Sequence, residues 1–180
     1  MFEHDRSVGV FRTLRENGPA LLVPAAWAVV AGVVVGTVSE RALFVAHVVM
    51  AFLLVAFLAG SWDDMRSGVL RAWKLVILAG TPATLAGVAG FLARDGGLDV
   101  PAEPLLAAAL YGWILLPAIG LAYTGRHVGT AARAYDLGAA CCLVGAVGVV
   151  LAGTPAGTAV ALVVVGTGQT VGIVAATVVE

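Results

Sequence analysis

The placement of charged residues constrains this chain more than any other feature. Six apolar stretches contain no Asp, Glu, Lys or Arg, and all ten basic and eleven acidic residues lie in the connections and tails. Each stretch is near the length of about 20 residues that a helix needs to cross a bilayer. We therefore predict an all-α polytopic membrane bundle with six transmembrane helices in one transmembrane domain, 19–180. The predicted spans are 19–38, 42–60, 75–93, 104–124, 137–153 and 157–178.

Composition excludes the main alternative fold classes. Hydrophobic residues make up 61% of the chain and charged residues 12%, whereas a soluble domain carries about 25% charged residues. Such a chain cannot cover itself with polar surface, and it is too apolar to be disordered. The net charge of −1 leaves no basic excess for binding nucleic acid. The bilayer itself is therefore the predicted partner.

The basic residues predict the orientation, because short cytoplasmic loops are enriched in Lys and Arg. Eight of the ten fall on one side of the predicted spans, so we expect both termini in the cytoplasm and the protein in the cell membrane. Within the tail 1–18, Val10, Phe11 and Leu14 share a helix face, which predicts a short amphipathic helix at the cytoplasmic interface. The eight are Arg6, Arg12, Arg15, Arg66, Arg71, Lys74, Arg126 and Arg133, against Arg41 and Arg94.

Three local patterns predict details of the connections. The tight turn Thr154-Pro155-Ala156 predicts a helical hairpin between the short fifth span and the Val-, Thr- and Gly-rich sixth. Ser61, followed three residues later by Asp64, resembles the start of a helix with Ser61 as its N-cap. Cys141 and Cys142 are neighbours in an apolar run, which favours unbridged thiols that act as small hydrophobic residues.

His47 is the one ionisable side chain of note inside a predicted span, about five residues from its outer end. An intramembrane histidine is a candidate functional residue. It could ligate haem or a metal, or carry a proton, although His4 and His127 are placed too far away to be a second ligand. The commoner case is a neutral imidazole hydrogen-bonded to another helix.

Gln169 is the second candidate, near the middle of the sixth span. Polar side chains at such positions usually bridge helices, and a substrate contact is the alternative. Pro82 and Pro117 also fall mid-membrane, where each removes a backbone donor and frees a carbonyl that can line a cavity. Together with His47, these residues suggest a small transporter or channel with a midplane cavity, in which Trp27 and Trp113 either pack into the kinks or line a pocket.

Small residues are dense in the spans and allow helix backbones to approach closely. They favour a compact bundle, and the pairs Gly32/Gly36 and Gly168/Gly172 offer faces for a homo-oligomer.

The segment 12–19, Arg-Thr-Leu-Arg-Glu-Asn-Gly-Pro, runs directly into the first span and resembles the start of prokaryotic Yip-type membrane proteins. The stretch 113–123 with the following Ala131-Ala-Arg-Ala134 is similar to that family's fourth span and its exit, and the connection 61–74 leading to Thr81-Pro82 also fits. The likeness covers roughly 1–153 and leaves the sixth span as an addition. It implies a compact bundle of trafficking or membrane-organisation type, with no catalytic residues carried over.

The sequence therefore predicts a non-enzymatic multi-pass membrane protein without catalytic residues, metal ligands or cofactor. The main alternative is the small transporter or channel, and a haem or quinone enzyme is a third class. Intramembrane charges are typical of pumps and proton-coupled carriers, and their absence from the six predicted spans favours the first prediction.

Overall fold

The computed structural model describes residues 21–178, and it is 84% helix with no strand in that part of the chain. The predicted amphipathic tail 1–18 lies outside the described residues. Short connections join six helices in sequence, which confirms the predicted all-α fold. The helices are α1 (Leu21–Val34), α2 (Glu40–Ser61), α3 (Gly68–Arg94), α4 (Ala102–His127), α5 (Ala132–Leu151) and α6 (Pro155–Val178).

Helices α2 to α6 are long and apolar enough to span a membrane. They contain 20 to 27 residues, which at about 1.5 Å per residue corresponds to about 30–40 Å. α6 is a continuous helix of 24 residues, so its Val- and Gly-rich composition does not interrupt it. α1 is apolar and shorter over its described length. The structure thus contains five spanning helices together with α1, in the order that the sequence predicts.

α1 ends earlier than the sequence prediction placed it. The predicted first span continued to residue 38, whereas the helix stops at Val34 and a turn follows. Gly36 has a φ of +78°, a conformation that glycine adopts at little cost. The amide of Thr37 donates to the carbonyl of Gly32, and that of Gly36 to Val33, which is the Schellman arrangement that closes a helix end.

The prediction for Ser61 is wrong. Ser61 is the last residue of α2 rather than the N-cap of the next helix, and it is buried. α3 begins later, at Gly68, with Ser67 as its N-cap and no side-chain capping bond. The physical reason is that Ser61 lies on the buried face of α2 with Leu54 and Leu58, so the packed helix extends through Ser61.

Neighbouring helices pack antiparallel and approach closely at small residues. In the α3–α4 pair, Gly80 faces the Trp113 ring and Gly120 faces Val76. In the α5–α6 pair, the backbones of Gly138 and Gly168 face each other. The α5–α6 contact confirms the predicted hairpin. At its turn, the hydroxyl of Thr154 accepts a hydrogen bond from the amide of Gly157.

Charged residues lie at the two ends of the bundle. At one end, Arg94 of α3 donates to Glu40 of α2 and to Glu103 of α4, each at 2.9 Å. At the opposite end are the 62–67 and 128–131 connections. Near this end, the Trp73 indole of α3 donates to the Thr124 hydroxyl of α4. This separation matches the predicted exclusion of charge from the spans. The orientation with both termini in the cytoplasm stays a prediction.

The buried core lies mainly among α4, α5 and α6, with Trp27 and Ala31 of α1 packed against them. α2 is the most peripheral of the long helices: only 6% of its most apolar stretch is buried, and among α3–α6 it packs on α3 alone. Large apolar side chains such as Phe52 point outward from it. A surface of this kind is stable in lipid and not in water.

Candidate functional site at the centre of the bundle

Gln169 is buried in α6, and both ends of its amide group are hydrogen-bonded to other helices. Its Oε1 accepts from the Trp27 indole Nε1 of α1 at 2.9 Å. Its Nε2 donates to the backbone carbonyl oxygen of Trp113 in α4, also at 2.9 Å. A single glutamine side chain therefore joins three helices, α6, α1 and α4.

Pro117 explains why the Trp113 carbonyl accepts a bond from outside its helix. In an α-helix this carbonyl would accept from the amide of residue 117. Residue 117 is a proline inside α4 and has no amide hydrogen. The Gln169 amide supplies the missing donor. The sequence prediction that Pro117 frees a carbonyl is thus correct. That carbonyl accepts a hydrogen bond from the Gln169 side chain.

The network continues from Trp113 to α3. The Trp113 indole Nε1 donates to the hydroxyl of Thr84 at 2.8 Å, and that hydroxyl donates to the carbonyl of Gly80 in its own helix at 3.0 Å. Gly80 also makes room for the Trp113 ring, because a Cβ there would lie 2.8 Å from ring atom Cη2. We call Trp27, Thr84, Trp113 and Gln169 the Gln169 network. Pro82 lies between Gly80 and Thr84 in α3.

His47 lies outside the Gln169 network. Its Nδ1 contacts the Leu43 carbonyl of its own helix at 2.9 Å. Since a carbonyl can only accept, Nδ1 is the donor in this contact. The half-buried imidazole packs against Gly87 of α3 and, edge to face, on Phe91 at 5.5 Å between ring centroids. The prediction that His47 is hydrogen-bonded to another helix is wrong. Its hydrogen bond is made within α2, and the ring contacts α3 by packing alone.

The two candidate residues do not form one site. α2, which carries His47, and α6, which carries Gln169, are not in contact with each other. Their side chains share no partner, since His47 meets α3 and Gln169 meets α1 and α4. The predicted midplane cavity required both residues and both prolines to face a common space. The structure instead separates His47 from the contacts around Pro117.

Metal-ligating groups are sparse in the described part of the chain. Over these residues, no group of three or more His, Cys, Asp or Glu side chains is placed to hold a metal ion. Cys141 and Cys142 are both free, and Cys142 is completely buried. This is the packing role predicted for the two cysteines.

Three of the four glycines predicted as oligomer faces make contacts within the chain, whereas a Cβ at Gly36 would meet nothing within 4 Å among the described residues. Gly168 lies against Gly138 and Cys141 of α5, and Gly172 lies against Leu121 of α4. Gly32 faces Val38 of the turn that follows its own helix. A homo-oligomer stays a prediction, but a contact through Gly168 and Gly172 would have to displace α5 and α4.

Sequence reasoning missed Thr84 and the pairing of Gln169 with Pro117. The signal for the second was present, because a proline identifies by position the carbonyl that it leaves without a donor, four residues earlier. What the sequence could not supply was which helix would present the donor. That choice depends on the packing of α6 against α4.

No protein-family model, curated protein or solved structure matches this chain. The class of the protein therefore follows from its fold alone. Five long apolar helices, charges at the bundle ends and an outward apolar surface define a multi-spanning α-helical membrane protein. The Yip-type resemblance stays a prediction.

Proposed function

We propose that this protein is a non-enzymatic constituent of the prokaryotic cell membrane that contributes to membrane organisation and does not move a solute across it. The observation that carries this proposal is the internal engagement of Gln169. Its amide oxygen and nitrogen are both bonded to other helices, and the residue is buried. A substrate that used this amide would have to enter the packed bundle and compete with those bonds.

Transport needs polar groups that face a hydrated path at the bilayer midplane. In this bundle, the central polar groups bond to each other, and fully buried side chains surround them, including Ile114, Leu162 and Val165. Every buried side-chain nitrogen and oxygen in the described part of the chain has a hydrogen-bond partner. Close glycine contacts between α3 and α4 and between α5 and α6 leave little space between these helices for a hydrated path.

Since the central polar groups are bonded to one another, we infer that the protein acts through its outer surface. α2 is the least buried of the long helices, with Phe52 73% exposed, and it contacts α3 at both ends. Glu40 binds Arg94 at one end, and Lys74 donates to the Trp62 carbonyl at the other. This peripheral helix with an outward apolar face supports a role in ordering the surrounding lipid or membrane proteins.

Reconstitution tests the proposal. The purified protein is incorporated into liposomes at increasing protein density, and proton, potassium and glycerol permeation are measured with entrapped dyes and by light scattering. We expect permeation equal to that of protein-free liposomes. The matched variant is Gln169→Ala, which opens space at the centre of the network. Permeation that rises with wild-type protein density and changes in the variant would establish the transporter alternative.

The organising role has its own readout. Vesicle diameter and shape are recorded by electron cryomicroscopy over the same range of protein densities, with a single-span helical peptide at equal mass as the control. We expect the protein to change vesicle size or shape more than the control does. Identical vesicle populations at every density would contradict the organising role while leaving the permeation result intact.

A further inference from the structure

A groove of about 240 Å³ opens where α2 connects to α3. Three basic side chains line it, Arg66, Arg71 and Lys74, together with Trp62, Leu75 and Leu78. We call it the basic groove. Among the residues that the structure describes, none of the lining side chains is acidic. It lies at the end of the bundle where the sequence predicts the cytoplasmic surface.

The polarity of the basic groove changes along its length. Arg71, Leu75 and Leu78 follow one another at helical spacing and so lie on one face of α3. The charged side chains stand at the loop end, and the two leucines lie one and two turns further into the predicted span. Leu75 is 56% exposed and Leu78 45% exposed. A surface that is cationic at the interface and apolar below it matches an anionic amphiphile.

Two of the three cations, Arg71 and Lys74, have no ion-pair partner among the described residues. Lys74 Nζ donates to the Trp62 carbonyl at 2.8 Å and lies 3.4 Å from the centroid of the Trp62 ring. Neither contact contributes a counter-charge, and the ammonium has two further donors. Arg66 pairs with Asp63. Arg71 makes no ion pair within the part of the chain that the structure describes.

The start of α3 reinforces the positive potential. Its N-cap residue, Ser67, makes no side-chain capping bond, so the first amides of α3 are not satisfied by that side chain. These amides carry the positive end of the helix dipole and favour a phosphate nearby. They add to the three basic side chains and would not form a site without them.

We propose that the basic groove binds the phosphate headgroup of an anionic phospholipid, with one acyl chain lying along Leu75 and Leu78. Arg71 and Lys74 contact the phosphate, and the Trp62 ring occupies the interface, where amphipathic aromatic rings prefer to lie. This inference goes beyond the proposed function, since a transporter could hold a lipid in the same groove. A failure of lipid binding in the basic groove therefore does not imply a failure of the proposed function.

Tryptophan quenching by brominated lipid tests the proposal. The full chain is reconstituted in phosphatidylcholine containing rising fractions of dibrominated phosphatidylglycerol or, separately, dibrominated phosphatidylcholine. Trp62 is 49% exposed, and a Trp62→Phe variant identifies its share of the signal. We expect the anionic lipid to quench Trp62 at lower mole fractions than the zwitterionic lipid. Equal quenching by the two lipids would overturn the proposal.

Two matched variants separate a site from general surface charge. Arg71→Gln removes a groove cation that makes no ion pair, and we expect about a five-fold loss of apparent affinity for phosphatidylglycerol, recovered in Arg71→Lys. Arg126→Gln removes an exposed cation that is not part of the groove, and we expect less than about a two-fold change. An equal loss in both variants would show non-specific attraction and refute the site.

A competition arm distinguishes a lipid from free phosphate. Inorganic phosphate supplies the same anion without an acyl chain, so we expect it to compete poorly at the concentration at which soluble short-chain phosphatidylglycerol competes well. Equal competition by the two would mean that Leu75 and Leu78 contribute nothing and that the ligand is not a lipid. Melting temperatures in lipid-free detergent establish that each variant is folded before lipid is added.

Discussion

Replacing Gln169 with leucine removes both hydrogen bonds that join α6 to α1 and α4. The Trp27 indole loses its acceptor and the Trp113 carbonyl loses its donor, because Pro117 cannot supply one. Interhelical hydrogen bonds in membrane proteins contribute about 0.6 kcal/mol on average and about 1.7 at most. Two bonds in a buried site, one to a carbonyl with no donor from its own helix, give an expected loss of about 2 kcal/mol of unfolding free energy.

Pro117→Ala provides the critical comparison. An alanine restores the amide hydrogen at 117, so the Trp113 carbonyl regains a donor from its own helix. Gln169→Leu should then cost about 1 kcal/mol less in the Pro117→Ala background than in the wild type. The matched control is Thr170→Val, since the Thr170 hydroxyl bonds to the Gly166 carbonyl of its own helix at 2.7 Å. We expect it to change stability by no more than about 0.5 kcal/mol.

The assay is equilibrium unfolding of the four variants of the cycle in mixed micelles with rising SDS, followed by tryptophan fluorescence and circular dichroism. Equal costs of Gln169→Leu in the two backgrounds would refute the inference that this side chain replaces the donor missing at Pro117. A cost of Gln169→Leu no larger than that of Thr170→Val would refute the role of the Gln169 network in stability.

Three further predictions follow from the described contacts. His47→Leu should leave the protein folded with a loss within about 1 kcal/mol, since the ring bonds only to its own helix; a large fall in melting temperature with loss of bound metal would mean that His47 is a ligand. Gly168→Ala should cost about 1–3 kcal/mol, because the new methyl group would lie 2.7 Å from the Gly138 carbonyl oxygen; Gly60→Ala, with nothing within 4 Å, is the control and should not destabilise. Single cysteines at 97 and 180 test the orientation after Cys141 and Cys142 are replaced by alanine. In intact cells, position 97 should label from outside and position 180 from inside. Labelling of position 180 from outside would contradict the six-span orientation.

The number and order of the helices could be predicted from charge placement alone, because burying charge in hydrocarbon is too costly for the pattern to arise by chance. Boundaries were less predictable. α3 begins seven residues before the predicted span, as Arg71 and Lys74 occupy a turn of helix at the interface. Their long side chains can keep the charge in water while their stems cover apolar surface.

The candidate site could be predicted only in part. Gln169 is recognisable as a bridging residue from its depth and type, and Pro117 as a source of a free carbonyl. Their pairing depends on how α6 is rotated against α4, which no local pattern specifies. The basic groove was missed for a similar reason, because Trp62 and Lys74 meet across a connection whose course is set by where α2 ends.

Hydrogen exchange at the four tryptophan indoles tests the closed bundle most directly. The protein is labelled with ¹⁵N-tryptophan, each signal is assigned by single Phe substitutions, and indole exchange is followed after transfer to D₂O. The Trp27 and Trp113 indoles are bonded to Gln169 and Thr84 inside the bundle, whereas Trp62 is exposed at its end. We predict exchange of Trp62 within the dead time and protection of Trp27 and Trp113 for hours. Rapid exchange of Trp27 and Trp113 in the folded protein would mean that water reaches the Gln169 network, and it would contradict the account.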